Sequence, residues 1–490
     1  MPKHREGSPC LTVLTEDDLT RIHEATLTVL ERKGVRFSLG EAQDVFREAG
    51  LSVDAEGGVR FPPDVIAEVI QSAPSEFTRQ PRDPSYEPVR YGQGTLSFTS
   101  GSTPIYVLEK GRLRTATRND IAAYTRLVDG LPNFTSANGG FWAQDIPPSI
   151  YHAVYFELMV KNTAKPIPAG DVLNKTIAED LVRLAAIVLG GESESAEKKT
   201  FSLAACPHAA CHWGANVAAF IEGAKAGMPV KIMPMPFAGS THPVTLAGLL
   251  VQANAEILSC VALNQLVRPG APVLYAPYPG VMDMSAANHV YGTPESALLA
   301  AAFVQLARRY GIPSDVVVGT TDAKLPDGQA AYEKMMTGLL PALAGADEIA
   351  LFGGLVSMAE AISLEQLMID HEIAGNILRM HRGIDTRSGA LAVDEILSVP
   401  IGGNFLDHPH TLNRFRDELF MPSLADRRVR SDWERHGATT LIERAVQAKD
   451  SVLESHEAPP LPEDTLRALD DELRRICKRE NQDFTPFRPS

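Results

Sequence analysis

Eight short apolar runs, each followed by a longer amphipathic stretch, constrain this chain more than anything else in it. The runs are LSFTS (96–100), FTSAN (134–138), KPIPAG (165–170), FSLAAC (201–206), VKIMPMP (230–236), PVLYAP (272–277), DVVVG (315–319) and EIALFG (348–353). Helix-like stretches follow them near 118–129, 149–161, 174–190, 214–226, 243–267, 294–310, 327–344 and 363–380. Strand and helix alternating eight times predicts an α/β fold, an eight-stranded (β/α)8 TIM-type barrel. A doubly wound open sheet is the competing arrangement. The eight units, and the lack of a dinucleotide glycine fingerprint, favour the barrel.

The flanks do not share this alternation. Residues 1–95 read as an N-terminal helical extension. Thr15 is placed to cap a helix carrying Leu19, Ile22, Val29 and Leu30 on one side; Ser38 with Glu41 forms a capping box for a second; FPPDVIAEVIQSAP opens a third on proline. The barrel occupies 96–384. Residues 385–490 open on a Gly/Asn loop, become charged and helical, and read as a C-terminal extension packing on the barrel.

Composition narrows the function. With 44% hydrophobic and 22% charged residues the chain is globular. A net charge of −15 argues against nucleic acid and against an anionic membrane as partners. Five cysteines in 490 residues fit a reduced, cytoplasmic setting. The N-terminus, MPKHREGSPCLTVLTEDD, has no apolar core of signal-peptide length. The most apolar stretch, 246–263, carries Gln252, Asn254 and Glu256 in its middle and reads as a buried helix, not a membrane span. An acidic barrel of this kind is expected to self-associate as a homo-oligomer.

In parallel barrels the chemistry gathers where the strands end. Asn138, Phe141 and Trp142 follow the second run, Cys206, His208 and Cys211 the fourth, and Phe237 the fifth. The sixth is followed by APYPGVMDMSAANHVYG, long for such a loop, with Tyr278, Asp283 and His289; Asp322 and Lys324 follow the seventh. Cys206, His208 and Cys211 are weak candidate metal ligands whose spacing is not that of a common zinc motif, and His408 with His410 are weaker still, so a metal is not expected. HEIAG (371–375) lacks the second histidine of a zincin helix and reads as solvated helix. No phosphate-binding glycine motif and no nucleophile elbow is present, so no nucleotide is expected. What remains is a mouth rich in aromatic and thioether side chains, suited to a quaternary ammonium cation.

Longer strings carry more. PMPFAGSTHPVTLAGLLVQANAEILSCVALNQLVRPGAPVLYAPYPGVMDM, YGTPESAL, TDAKLPDGQAAYEKMMTGLLPALAGADEI and NFLDHPHTLNRFRDELFMPSLADRRVRSDWERHG together resemble the trimethylamine methyltransferase family, from the N-terminal helices to about residue 450. The resemblance implies methyl transfer from a methylated amine to the Co(I) corrinoid (cobalamin) of a separate carrier protein, within one-carbon metabolism. The founding enzymes of that family carry pyrrolysine. This chain has only the twenty common residues. It is therefore similar to the non-pyrrolysine branch, typified by glycine betaine methyltransferases, and no catalytic residue is carried over. The implied donor is a quaternary amine, glycine betaine or a related betaine. Its pocket is sought among Asn138, Phe141, Trp142, His208, Phe237, Tyr278, Asp283, His289, Asp322 and Lys324, with Asp283 and Asp322 as counter-charges. Two alternatives remain: zinc-assisted transfer from another methyl donor, and a non-catalytic binder of quaternary amines.

Overall fold

The first helix, Glu16–Arg32, begins as its sequence requires. The Thr15 hydroxyl accepts from the Asp18 amide at 3.2 Å, and the Asp18 carboxylate accepts from the Thr15 amide at 3.0 Å. Leu19, Ile22 and Leu30 are buried beneath it. The second helix, Gly40–Glu48, lacks the expected capping box. Both of the residues involved are held by tertiary partners instead. Ser38 Oγ lies 2.7 Å from His212 Nε2, and Glu41 pairs with Lys175 at 2.7 Å and Lys225 at 2.8 Å. The third helix, Pro63–Ser72, starts on proline as read. Short strands at Val35–Phe37, Gly58–Val59, Phe77–Arg79 and Val89–Tyr91 interleave with these helices, so residues 10–95 are not purely helical. These statements come from a computed structural model that describes residues 10–486, apart from 102, 209, 351, 352, 388 and 484, with backbone alone at 169–171. The first nine residues of the N-terminal stretch read above lie outside the described residues.

The apolar runs pair in parallel. Ile167–Asp171, Phe201–Ala205, Val230–Ile232 and Val273–Tyr275 form a four-stranded sheet in chain order. Asp315–Val317, Glu348–Ala350 and Ser97–Phe98 form a three-stranded one. The run 134–138 supplies a single bridge, Ser136 to Thr99, and not a strand; Ala137 N donates to Pro166 O at 3.0 Å. Another single bridge joins Tyr275 to Ser314. In the last run the strand stops at Ala350, and Leu351 and Phe352 lie outside the described residues. The fold is mixed α/β.

Helices fill every interval where they were expected, from Arg118–Asp129 to Leu364–Arg382. Leu246–Val267 is long and apolar enough to cross a membrane, yet it is buried in the protein. Its polar groups have internal partners: Asn254 Nδ2 donates to Tyr310 Oη at 2.8 Å, and Glu256 accepts from the Cys211 amide at 2.9 Å. That makes it a core helix.

The C-terminal part packs back on this frame. Glu372, expected in solvated helix, is buried. Its carboxylate accepts from the amides of Ser423, Leu424 and Ala425 and from the Ser423 hydroxyl. The returning chain supplies donors that the zincin comparison could not foresee. The helix Glu463–Arg479 is fastened at Asp180, which receives Arg479 at 2.7 Å, Arg475 at 3.3 Å and His152 Nε2 at 2.9 Å. Burial alone would raise the Asp180 carboxyl, but His152 and Arg479 hold it down at about 2. The stabilisation it supplies is therefore present above the unfolded value near pH 4 and is lost as pH falls toward about 2. Asp180→Asn is expected to lower the melting temperature at pH 7 and expose the last helix to protease. The gap to wild type should narrow between pH 4 and pH 2; a gap independent of pH would show that the ionised carboxylate is not what holds the helix.

Candidate active site

Alternate residues of a strand face the same side. Lys231 and Met233, Asp315 and Val317, and Glu348 and Ala350 therefore form two layers on the face the parallel strands turn toward one another. The first layer is ionic. Lys231 Nζ contacts Asp315 and lies 3.7 Å from Glu348. Glu348 accepts from Tyr91 Oη at 2.6 Å and Ser136 Oγ at 2.7 Å, and is 3.9 Å from Arg79. All of these side chains are buried. The two acids respond differently to burial. For Asp315 burial outweighs the pull of Lys231 and pushes the carboxyl up to about 7. For Glu348 burial also pushes upward, but Lys231, Arg79 and the two hydroxyls outweigh it and hold the carboxyl below its ordinary value.

The second layer encloses space. A cavity of about 200 Å³ lies at the carboxyl ends of the strands. Its lining includes Thr99, Ser100, Asn138, Cys206, Lys231, Met233, Met235, Tyr278, Val317 and Ala350. Two aromatic stacks run from this lining. Tyr278 stacks on Tyr291 at 4.6 Å, and Tyr291 meets Phe237 edge-on, which stacks on His289 at 3.9 Å. On the other flank Asn138 accepts from Tyr155 Oη, Tyr155 stacks on Tyr151, and Tyr151 on Trp142 at 3.8 Å. Burial raises the Tyr278 hydroxyl well above its usual range, so it stays protonated, 3.0 Å from Thr320 Oγ1.

The structure brings some sequence candidates together and not others. Asn138, Cys206 and Tyr278 line the cavity. Phe237 and His289 belong to the wall behind Tyr278, and Trp142 to the stack behind Asn138. Phe141 is fully buried against Tyr124 as core. Asp322 accepts from the amides of Tyr291 and Gly292 at 3.0 and 2.9 Å and so fixes the wall's backbone; burial raises its carboxyl despite those donors. Lys324 is exposed and donates to the Asp322 carbonyl. Asp283 accepts from Ser285 and Ala286 within its own turn. His208 is exposed, whereas Cys211 is buried with its amide on Glu256. Among the described residues no group of three His, Cys, Asp or Glu side chains is gathered to hold a metal ion. Sequence reasoning missed Lys231, Asp315, Glu348, Thr99 and Val317. The available signal was charge inside otherwise apolar strands, at VKI, DVV and EIA.

A small cavity at the ends of parallel strands, with Lys231 at its floor and aromatic stacks behind its walls, is the layout of an α/β enzyme that handles a small ligand. The chain belongs to the trimethylamine methyltransferase (MTTB) family, whose model matches residues 1–482, and it is a methyltransferase. It is 35% identical to trimethylamine methyltransferase MttB of Desulfitobacterium hafniense over 94% of each chain. It is 34% identical to a glycine betaine methyltransferase of the same species, over 92% of this chain and 94% of that one. The two identities are equal in practice, so overall similarity does not choose the donor. The crystal structure of monomethylamine methyltransferase (MtmB) from Methanosarcina barkeri superposes with a TM-score of 0.53 at 12% identity, covering 98% of this chain and 96% of that one, and shares the fold.

Proposed function

We propose that the chain transfers a methyl group from a quaternary amine, a betaine such as glycine betaine, to the Co(I) corrinoid of a separate carrier protein. The observation that carries this is the cavity: about 200 Å³, lined by Tyr278, Met233 and Met235, and with no carboxylate or imidazole in its described lining. It has room for a small methylated amine and none for a corrinoid ring, so the acceptor would work from the mouth. The carrier's Co(I) supplies the nucleophile. The carbon–nitrogen bond breaks with its electron pair going to nitrogen, and a neutral tertiary amine leaves. Such a step asks the protein for placement and dryness rather than for a base. Tyr278 presents a ring to the cation, and the twin stacks keep both walls rigid. Trimethylamine would have to be protonated before it could release dimethylamine, an activation that a quaternary amine does not need.

The same reading includes an eight-stranded barrel. Its support is the parallel pairing of Glu348–Ala350 with Ser97–Phe98, the bridge Tyr275–Ser314 between the two parallel sheets, and, on their other side, the bridge Thr99–Ser136 followed by the Ala137 amide on Pro166 O. It also includes a homo-oligomer. The helices Val393–Ser398, Pro409–Glu418 and Arg430–Arg435 bury none of their residues, and Ile401, Leu397 and Leu406 are largely exposed, a surface a second copy would cover. A cytoplasmic setting fits five cysteines, none of them in a disulfide. The test supplies Co(I) cobalamin and one donor at a time and follows the demethylated amine by mass spectrometry. Product from a betaine and none from trimethylamine is expected. Product from trimethylamine alone would overturn the choice of donor. No product from any donor, with the native carrier also supplied, would overturn methyl transfer from quaternary amines.

A further inference from the structure

We propose that Lys231 sets the donor specificity of this cavity: it receives the carboxylate of a zwitterionic donor and so turns the methylated ammonium toward the mouth. The inference rests on the reading of the cavity as the donor site.

Lys231 is the single charged side chain among the described residues lining the cavity. A bare cation entering would meet one like charge in the lining, with the carboxylates Asp315 and Glu348 set behind it rather than facing the space. A zwitterion can place its carboxylate on Lys231 and keep its ammonium away. The order of residues along the strand fixes the direction. Lys231 lies within Val230–Ile232, Met233 and Met235 follow it, and Tyr278 lies beyond the end of the neighbouring strand. The floor is thus cationic, and the mouth is thioether and aromatic.

Lys231 also has donor capacity to spare. An ammonium has three protons. Asp315 takes one, and Glu348, at 3.7 Å, is beyond hydrogen-bond distance. Thr99 gives an independent pointer. It lines the same cavity, is 1% exposed, and its hydroxyl finds no hydrogen-bond partner among the described residues. Buried polar groups are rarely left unpaired in the functioning molecule. Lys231 and Thr99 together offer two donors to one carboxylate, and the N-methyl groups then point outward, where an acceptor too large for the cavity has to approach.

The experiment titrates the full chain with glycine betaine, choline and tetramethylammonium by calorimetry, and runs the demethylation assay on the same donors. Wild type is expected to bind glycine betaine at least about tenfold tighter than the other two. Lys231→Met should weaken betaine binding by about 10- to 100-fold and leave choline unchanged or tighter, because Asp315 then loses the cation it contacts while Glu348 keeps only Arg79. Lys231→Arg should restore part of the betaine affinity. A purely structural lysine would weaken all three ligands alike, and that result overturns the proposal. So does wild-type binding of choline as tight as that of betaine, which decides the matter even if Lys231→Met does not fold. A betaine preference without demethylated product would overturn methyl transfer and leave Lys231 in place. Demethylation of choline as readily as betaine would do the reverse. Absence of binding by all three ligands would overturn both.

Discussion

Glu348→Ala is expected to destabilise the protein by about 3–5 kcal/mol, enough to lower its melting temperature by many degrees. Few side chains here are so committed. Glu348 is fully buried, accepts from Tyr91 and Ser136, and stands between two cations, Arg79 at 3.9 Å and Lys231 at 3.7 Å. Removing it leaves Arg79, itself fully buried, without a carboxylate within ion-pair distance among the described residues. The cost is that of an uncompensated interior charge and not of one lost contact. Tyr91 and Ser136 donate to different oxygens of Glu348, so Glu348→Gln keeps an acceptor for one of the two hydroxyls and should fall between wild type and alanine. Thermal and urea unfolding followed by circular dichroism measure both variants. A loss below about 1 kcal/mol for alanine, the size of an ordinary substitution, would show that water or rearrangement replaces the carboxylate and that the cluster is not a fixed charge lattice.

The second large effect is on the ligand and should leave the fold nearly untouched. Val317→Phe adds bulk on the strand Asp315–Val317, from a position that lines the cavity. The added ring has about 200 Å³ of open space to enter, so the overpacking cost of about 1–3 kcal/mol usual in a filled core should be reduced. Betaine binding and demethylation should fall by about 100-fold or more, the equivalent of about 2.7 kcal/mol, while the melting temperature moves by a few degrees at most. Unchanged turnover with a stable protein would place the donor elsewhere.

Much of this architecture is legible in the chain. The helices announce themselves through caps and breaks: Thr15 with Asp18, Pro63, and Gly190, Gly227, Gly311 and Gly345 in left-handed conformation just past helix ends. Seven of the eight apolar runs contain strands. FTSAN does not, since one bridge at Ser136 is all the ladder it makes. The Ser38 box fails because a local rule cannot see His212, 174 residues away. The site is legible by half. Loops after strands lead to Cys206 and Tyr278, because neighbouring parallel strands end on the same side, and the bridge at Ser136 brings Asn138 to that side too. Lys231, Val317 and Thr99 stay hidden because facing inward is a property of register, which neighbouring strands set. Trp142 and Phe141, adjacent in sequence, part company for the same reason: one stacks on Tyr151 and the other is core.

The two layers of side chains on the parallel strands also bear on how such a protein diversifies. Lys231, Asp315 and Glu348 tie strands together by charge, whereas Met233, Val317 and Ala350, each two residues further along, border empty space together with Thr99. A combinatorial library confined to those four positions would explore new donor shapes on an undisturbed scaffold. Lineages that differ there would inherit their robustness intact.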